Sequence, residues 1–193
     1  MVHIIMFGPP GAGKGTQARL LKERLHFAYI ATGDIFRQHI KEQTELGKLA
    51  QSYIDNGDLV PDEVTIKMIK SEMDKNTGAK GIIFDGFPRT PSQAQALEDF
   101  LARTGDRIDA VFALEVPEEV LIERILNRGK TSGRSDDTDR ATIIKRLKKY
   151  HEVTEPIKDF YREKGVLYPI DGMQDIETIH RQILDILEKI SSK

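Results

Sequence analysis

The sequence predicts an α/β fold in which a parallel five-stranded sheet is flanked by helices. Five short apolar runs are each bounded by Gly, Pro or charged residues, and amphipathic segments with helical spacing separate them. The runs are continuous rather than alternating, which is typical of strands buried on both faces of a parallel sheet. We therefore expect strands at residues 2–7, 27–30, 82–84, 110–116 and 166–170.

The composition is that of an ordinary globular chain, and its length fits one domain, residues 1–193. Hydrophobic residues make up 39% and charged residues 31%, and the formal net charge is −2. A slightly negative chain does not favour binding to nucleic acid, which usually needs a basic excess. The chain contains no Cys, so disulfides, thiol catalysis and cysteine-ligated zinc are excluded.

No apolar run approaches the ~20 residues that a membrane-spanning helix needs, so we expect no membrane partner. The first residues enter a strand-like run without a cleavable signal pattern, and we therefore expect a cytoplasmic protein. Nothing in the sequence demands an oligomer, so the expected state is a monomer.

A glycine-rich loop directly follows the first predicted strand. Residues 8–16 read GPPGAGKGT, and leucines at helical spacing come next. Glycines allow successive backbone N–H groups to point at one anion, and the following helix adds the positive end of its dipole. Lys14 supplies a mobile charge for the outer phosphates of a nucleotide. The segment is interpreted as a P-loop, although Gly15 stands where a magnesium-binding Ser or Thr is usual and Thr16 comes one residue later.

Two segments interrupt the alternation of strands and helices. Residues 33–73 show helical patterns with no strand between them, which predicts a helical insertion after the second strand. Residues 129–139 read GKTSGRSDDTD, a polar sequence without an apolar anchor, and predict an exposed and mobile loop. Pro156 falls inside the helical pattern that follows, so we expect a break in the helix there.

The third predicted strand is followed by the motif DGFPRT, residues 85–90. Because the carboxyl ends of parallel strands face one crevice, Asp85 and Arg89 are expected beside the P-loop. An acid at this position is where a carboxylate that holds magnesium through water is expected. Taken alone, Arg89 is better explained by a surface salt bridge.

Basic residues concentrate in the second half of the chain. Residues 124–149 include nine Lys and Arg but three acidic residues. Arg124 and Arg128 lie four apart on one predicted helical face, Arg134 lies in the polar loop, and Arg146 lies on the next helix. Three lysines of this stretch are interpreted as solvated surface charges: Lys145, Lys148 and Lys149.

A P-loop accompanied by so many arginines predicts phosphoryl transfer to an acceptor that is itself a phosphate. A sugar or protein hydroxyl would need a His or carboxylate as general base, and no such motif is evident. A phosphate oxygen is already ionised at neutral pH, since the second pKa is ~6. Such a reaction needs arginines that cancel the repulsion between two polyanions, and a site that excludes water.

Four motifs in this order resemble the adenylate kinase family in its short-lid form: GPPGAGKGTQ, TGDIFR, DGFPRTPSQAQAL, and RGKTSGRSDD followed by KRL. The resemblance runs across nearly the whole chain. It implies a P-loop NTPase-like nucleoside-monophosphate kinase fold and the reaction of ATP with AMP to give two ADP. It also implies Mg2+ as cofactor, no structural zinc, an AMP-binding segment at residues 31–60 and a lid at residues 129–139.

The resemblance further implies roles for individual residues. The ATP side would comprise Gly11, Ala12, Gly13, Lys14, Gly15, Thr16, Arg124, Arg128 and Gln174. The AMP side would comprise Thr32, Arg37, Asp58, Leu59, Val60, Gly86, Phe87, Pro88, Arg89, Gln93, Arg134 and Arg146. The residues that stabilise the transferring group would be Lys14, Arg89, Arg124, Arg134 and Arg146. Asp136 and Asp137 match the acidic pair that helps the family's lid to close; otherwise they are two solvated acids.

Three alternatives stay open. Thr90 and Gln93 have the spacing of a capping box, so Gln93 could cap a helix rather than contact adenine. UMP/CMP kinases share the short lid and DGFPR, although they typically have Ala and Asn where this chain has Thr32 and Thr90. A P-loop switch protein would need a Gln that positions water and a metal-sensing loop, which the motifs do not indicate.

Overall fold

The computed structural model describes residues 1–192 and contains one five-stranded sheet. The strands are β1 (Val2–Phe7), β2 (Ala28–Ala31), β3 (Gly81–Asp85), β4 (Ala110–Glu115) and β5 (Leu167–Asp171). Their order across the sheet is β2-β3-β1-β4-β5, and every neighbouring pair is parallel. The predicted parallel sheet is therefore confirmed, and each strand ends within one residue of its predicted limits.

Helices fill the connections between the strands. They are α1 (Lys14–Leu25), α2 (Thr32–Lys41), α3 (Glu45–Ile54), α4 (Asp62–Lys75), α5 (Pro91–Ala102), α6 (Glu118–Ser132), α7 (Arg140–Lys149), α8 (Ile157–Glu163) and α9 (Ile176–Ser191). Helices α2 to α4 follow one another without a strand, which confirms the helical insertion. A π-helical turn, Tyr150–Thr154, follows α7, and Pro156 lies at the predicted break before α8. Within residues 1–192, no helix combines the length and apolar character that crossing a bilayer requires.

Both faces of the sheet are buried, because successive side chains of a strand point to opposite faces. Ile5 and Phe7 of β1 lie in a hydrophobic layer with side chains of α4, α5 and α8. Ile4 and Met6 lie in a second layer with side chains of α1, α6 and α9. The continuous apolar runs in the sequence reflect this burial on two sides.

The strand order changes direction at β1. From β1 the chain passes to β2 and β3 on one side of the sheet, and after α5 it passes to β4 and β5 on the other. Such a switch point leaves a crevice beyond the carboxyl ends of the strands. The loops after β1 and β3, which carry the P-loop and the DGFPRT motif, both open at this edge.

Residues 129–139 are largely exposed, as their composition predicts, but they are not simply a loop. Helix α6 includes the first residues of this segment, and a short 3-10 helix, Ser135–Asp137, follows. Asp136 and Asp137 are buried, so the interpretation of two solvated acids is wrong. The 3-10 helix folds back over α6 at Gly129, where a Cβ atom would lie 2.4 Å from the Asp137 carbonyl oxygen.

Gly129→Ala should destabilise the protein, although the helix propensity of Ala exceeds that of Gly by about 1 kcal/mol. The added methyl group would press on the Asp137 carbonyl, so α6 or the 3-10 helix must shift. We expect a loss of about 1–3 kcal/mol in the free energy of unfolding, measured by urea denaturation. Gly78→Ala is the control, because nothing lies within 4 Å of a Cβ there. Equal stability of the two variants would contradict the close approach.

Candidate active site

The backbone between β1 and α1 has the geometry of an anion cradle. Gly13 precedes α1 in the left-handed conformation, with φ at 98°, and the helix N-terminus has no side-chain cap. Gly11 has a φ of 81°, and a Cβ atom there would lie 2.8 Å from Ile125 Cγ1. Lys14 Nζ donates to the Pro9 carbonyl oxygen at 2.9 Å, so the ammonium group folds over its own loop. Unpaired backbone N–H groups and this cation are therefore available to one anionic ligand.

The residues of the cradle line a cavity of about 600 Å³, a volume within the usual range of ligand sites. Every residue that the sequence analysis proposed for ATP, AMP or metal binding, from Gly11 to Gln174, lines this cavity. Six of them are arginines: Arg37, Arg89, Arg124, Arg128, Arg134 and Arg146. The fold thus brings together residues that are far apart in the chain.

Asp137 joins two of these arginines. Arg128 donates to both of its carboxylate oxygens, from Nε at 2.7 Å and from Nη2 at 2.8 Å. Arg146 Nη1 donates to Asp137 Oδ1 at 2.9 Å and to the Asp136 carbonyl oxygen at 2.9 Å. Burial alone would raise the pKa of Asp137, but the hydrogen bonds and charges of Arg128 and Arg146 outweigh burial and hold that pKa below its usual value. The carboxylate therefore fixes the orientation of both guanidinium groups.

Asp34, which the sequence analysis missed, holds a second group of arginines. Its carboxylate accepts a hydrogen bond from Arg37 at 2.7 Å and lies 3.7 Å from Arg19 and 3.9 Å from Arg134. Asp34 belongs to the quoted TGDIFR motif, but an acid in the first turn of a helix is common and gave no separate signal. Because Asp34 belongs to α2, its contact with Arg134 brings segment 129–139 close to that helix.

The cations of the cavity disfavour one another's charge. Burial lowers the pKa of Lys14 from 10.5 to about 8; the charge of Asp85 opposes this shift, and those of nearby arginines add to it. The pKa of Arg89 is also lowered, mainly by burial and then by Arg146. An anionic ligand would relieve this repulsion, so the electrostatics favour a polyanion.

Asp85 lies at the end of β3 beside the P-loop. Its Oδ2 atom accepts a hydrogen bond from the Tyr29 hydroxyl at 2.8 Å and would lie 3.6 Å from a Cβ atom on Gly15. Residues 1–192 contain no cluster of three or more His, Asp or Glu side chains placed to hold a metal ion. Mg2+ commonly takes one or two carboxylates, several waters and substrate phosphates, so a single carboxylate beside a phosphate cradle fits this ion.

The P-loop side of the cavity contains unmatched hydrogen-bond acceptors. Arg124 Nη2 donates to the Gly172 carbonyl at 3.2 Å, and Gln17 Nε2 donates to the Ile176 carbonyl at 3.0 Å. The side-chain oxygens of Gln17 and Gln174 are buried without a hydrogen-bond partner. Buried polar atoms are normally paired, so these two oxygens are available to N–H groups of a ligand or to water.

The other side of the cavity is built where α2 meets the loop after β3. The buried Thr32 hydroxyl donates to the Gly86 carbonyl at 2.9 Å. Gly86 has a φ of 77°, and a Cβ atom there would lie 2.7 Å from Thr32 Oγ1. The close approach fixes the DGFPRT loop against the start of α2.

Gln93 contributes both to the helix end and to the cavity. Thr90 Oγ1 accepts the Gln93 backbone N–H at 3.2 Å, which is one half of the predicted capping box. Gln93 Oε1 accepts from the backbone N–H of Arg89, not of Thr90, at 2.8 Å, and Nε2 donates to Asp62 at 2.9 Å. An amide offers two N–H protons and two acceptor positions, so one of each is left for a ligand. The adenine contact stays a prediction.

Lys145 and Lys149 lie partly exposed at the surface, as the sequence predicts, but both also pair with the turn after α3, which the sequence analysis missed. Lys145 Nζ donates to the Asn56 carbonyl oxygen at 2.7 Å and to Asp58 at 2.9 Å, and Lys149 Nζ lies 3.5 Å from Asp58. The side chain of Lys148 is 72% exposed, as expected. The partners of Lys145 lie nearly ninety residues away in the sequence, so no local signal could reveal them.

The fold and the cavity define a P-loop protein of the α/β class with a cationic site. A protein-family model described as Adenylate kinase matches residues 6–166. An adenylate kinase of Flavobacterium psychrophilum is 48% identical over 190 residues, covering 98% of this chain and 100% of the relative. Those of Porphyromonas gingivalis strain W83 (49% over 189 residues, 98% and 97% covered) and of a Synechococcus species (48% over 188 residues, 97% of both) are similar. The chain belongs to the adenylate kinase family.

Binding of a nucleoside triphosphate should weaken as the pH rises through about 8. Bound phosphates favour the charged form of Lys14, whose pKa in the free protein is about 8. Above about pH 8, binding therefore requires Lys14 to take up a proton. The contribution of Lys14 to the affinity is complete below about pH 8 and is lost as the pH rises above it. Titration calorimetry from about pH 7 to about pH 9.5 should show up to about a tenfold loss of affinity per pH unit. An equal slope in Lys14→Met would contradict the assignment.

Asp137→Asn should lower the free energy of unfolding by about 2 kcal/mol at neutral pH, because the two arginines lose a buried carboxylate. The pKa of Asp137 is lowered in the folded protein, so its stabilisation is present above about pH 4 and is lost as the pH falls through the folded pKa. Urea denaturation at several pH values should show the difference between variant and unaltered protein shrinking below about pH 4. A difference that persists there would rule out the charge as its cause.

Proposed function

We propose that the protein transfers the terminal phosphoryl group of ATP to AMP, reversibly, and forms two ADP. The observation that carries this proposal is the convergence of Lys14 and of arginines from five segments on one cavity. The P-loop and the two residues of the Thr32–Gly86 contact all line this cavity. The relatives named adenylate kinase support the same reaction.

The acceptor is proposed to be a phosphate because the site offers no free base. No histidine lines the cavity within residues 1–192, and its carboxylates are engaged by arginines, lysines or Tyr29. An ionised oxygen of AMP attacks the γ-phosphorus, and the bond from this phosphorus to the β–γ bridging oxygen breaks. No proton has to be removed from the attacking oxygen.

Each end of the cavity receives one nucleotide in this proposal. The P-loop N–H groups and Lys14 hold the donor phosphates, with Arg124 and Arg128 on the same side and Gln174 near the base. The acceptor occupies the side of Thr32, Arg37, residues 58–60, the loop of residues 86–89, and Gln93. Arg89, Arg134 and Arg146 lie between the two and stabilise negative charge on the transferring group, since guanidinium groups bind phosphate oxygens in a fixed geometry.

Mg2+ is proposed to accompany ATP, held by Asp85 through water. When bound, the ion neutralises charge on the donor phosphates and orients them. The carboxylate is kept in place by Tyr29, whose hydroxyl donates to Oδ2 at 2.8 Å. In this proposal Asp85 orients the water molecules that bind Mg2+ at the P-loop, whereas the cavity arginines contact the phosphates directly.

We further propose that residues 31–60 act as the acceptor-binding segment and residues 129–139 as a lid, within one domain that spans residues 1–193. Both segments contribute side chains to the cavity lining, among them Arg37 and Arg134. The complete set of proposed contacts lies in one chain, so we propose a monomer, and its location is proposed to be the cytoplasm. Size-exclusion chromatography with light scattering tests the monomer.

A coupled assay with ATP and each of AMP, CMP, UMP and GMP should give the highest turnover with AMP. Two ADP should form per ATP consumed, and ATP without an acceptor should stay intact because water is excluded. Lys14→Met is the control for contaminating enzymes, since loss of its phosphate contact should reduce turnover by at least about 100-fold. Highest turnover with UMP or CMP would indicate a pyrimidine kinase. Slow hydrolysis that ignores the acceptor would indicate a switch protein.

A further inference from the structure

A turn formed by residues 56–58, here named the acceptor turn, follows α3 and leads into the cavity. It is held against α7 by contacts that the proposed reaction does not itself require. Lys145 Nζ donates to the Asn56 carbonyl oxygen at 2.7 Å and to Asp58 Oδ2 at 2.9 Å. Lys149 Nζ lies 3.5 Å from the second oxygen of the same carboxylate, Asp58 Oδ1. One short turn therefore receives two ammonium groups from one helix.

The face of α7 that contacts the turn is continuous. Thr142, Lys145 and Lys149 lie three and four residues apart and so share one side of the helix. Gly57 packs against this side, and a Cβ atom there would lie 3.2 Å from Thr142 Cγ2 and 3.2 Å from Arg146 Cγ. Its φ of 69° also favours glycine, so backbone conformation and packing both require the absence of a side chain. The turn is thus in van der Waals contact with α7 as well as ion-paired to it.

Arg146 links this contact to the cavity. It follows Lys145 directly on α7, lines the cavity, and is held by Asp137 at 2.9 Å. The side chain of Lys145 lies outside the cavity lining. Because consecutive residues of a helix point about 100° apart, one turn of α7 presents Arg146 to the ligand and Lys145 to the acceptor turn. The contacts of Lys145 therefore add to the packing of Gly57 that holds the acceptor turn beside Arg146.

We propose that Lys145, assisted by Lys149, is a positioning residue for the acceptor nucleotide. Its bonds to Asp58 and to the Asn56 carbonyl hold the acceptor turn beside α7, so that residues Leu59 and Val60 and the guanidinium group of Arg146 enclose the same ligand. Lys145 acts through the turn and not by contact with phosphate. This inference rests on the proposed phosphoryl transfer.

The exposure of the pair limits the size of the effect. The side chains of Lys145 and Asp58 are 46% and 34% exposed, and ion pairs on protein surfaces contribute little to stability because water screens them. The hydrogen bond from Lys145 holds the pKa of Asp58 below its usual value, so the carboxylate is ionised at neutral pH. We expect loss of the pair to change acceptor affinity about two- to fivefold, rather than to abolish activity.

The experiment compares Lys145→Ala with Lys148→Ala in steady-state kinetics. Lys148 lies on the same helix, but its nearest acidic partner is Glu152 at 3.8 Å and its side chain is 72% exposed. Lys145→Ala should raise the KM for AMP about two- to fivefold at saturating ATP, and should leave the KM for ATP unchanged. Lys148→Ala should change neither value, and Lys145→Arg should restore most of the AMP affinity.

A double-mutant cycle with Asp58→Asn separates the pair from other effects. If Lys145 acts through Asp58, the loss in Lys145→Ala with Asp58→Asn should be smaller than the sum of the two single losses. Fully additive losses, equal AMP KM values for Lys145→Ala and Lys148→Ala, or an equal rise in the KM for ATP would each overturn the positioning role. An unaltered protein that forms no ADP from ATP and AMP would overturn the proposed function itself, and this inference with it.

Discussion

Positive charges that converge in a half-buried cavity repel one another, and the rest of the site is arranged around that repulsion. Burial is the main cause of the lowered pKa of Lys14 and Arg89, and neighbouring arginines add to the shift while Asp85 opposes it. Asp34, Asp136 and Asp137 relieve the repulsion in part and hold the remaining guanidinium groups in fixed orientations. The cations are thus oriented before an anion arrives. Charge that develops during transfer then meets groups that need little reorganisation.

The need to gather these cations explains why this fold suits the site. Adjacent arginines on one helix would point in different directions, so a polyanion is surrounded only when several elements each contribute one group. A parallel sheet brings its carboxyl ends to one edge, where the loops after β1 and β3 meet. The segments that follow β2 and α6 add Arg37 and Arg134 to the cavity, and both arginines lie close to Asp34. Two buried hydrophobic layers hold the elements in these places.

The sheet, the helical insertion and the P-loop could be predicted because their signals are local: burial pattern, helical spacing and glycine placement all act within a few residues. The exposure of segment 129–139 could be predicted, but the buried turn at Asp136 and Asp137 could not, because a polar composition does not reveal that Gly129 lies under the Asp137 carbonyl. The partner of the exposed Lys145 was missed for a related reason, since Asp58 becomes its neighbour only in the folded chain. Gln93 is intermediate: its helix-end contact is local, whereas its bond to Asp62 depends on tertiary packing.

Helix α7 connects the two sides of the cavity. Arg146 binds the Asp136–Asp137 pair of segment 129–139, and the next face of the same helical turn binds the acceptor turn through Lys145. A helix moves largely as a unit because its backbone hydrogen bonds run along its length. Segment 129–139 and the acceptor turn are therefore held by the same helix, and neither can separate from α7 without breaking contacts to it. A phosphate bound as proposed would place a second anion beside Arg146 and would compete with Asp137 for the same guanidinium group. The charge of the ligand would then change the contacts on which both segments depend.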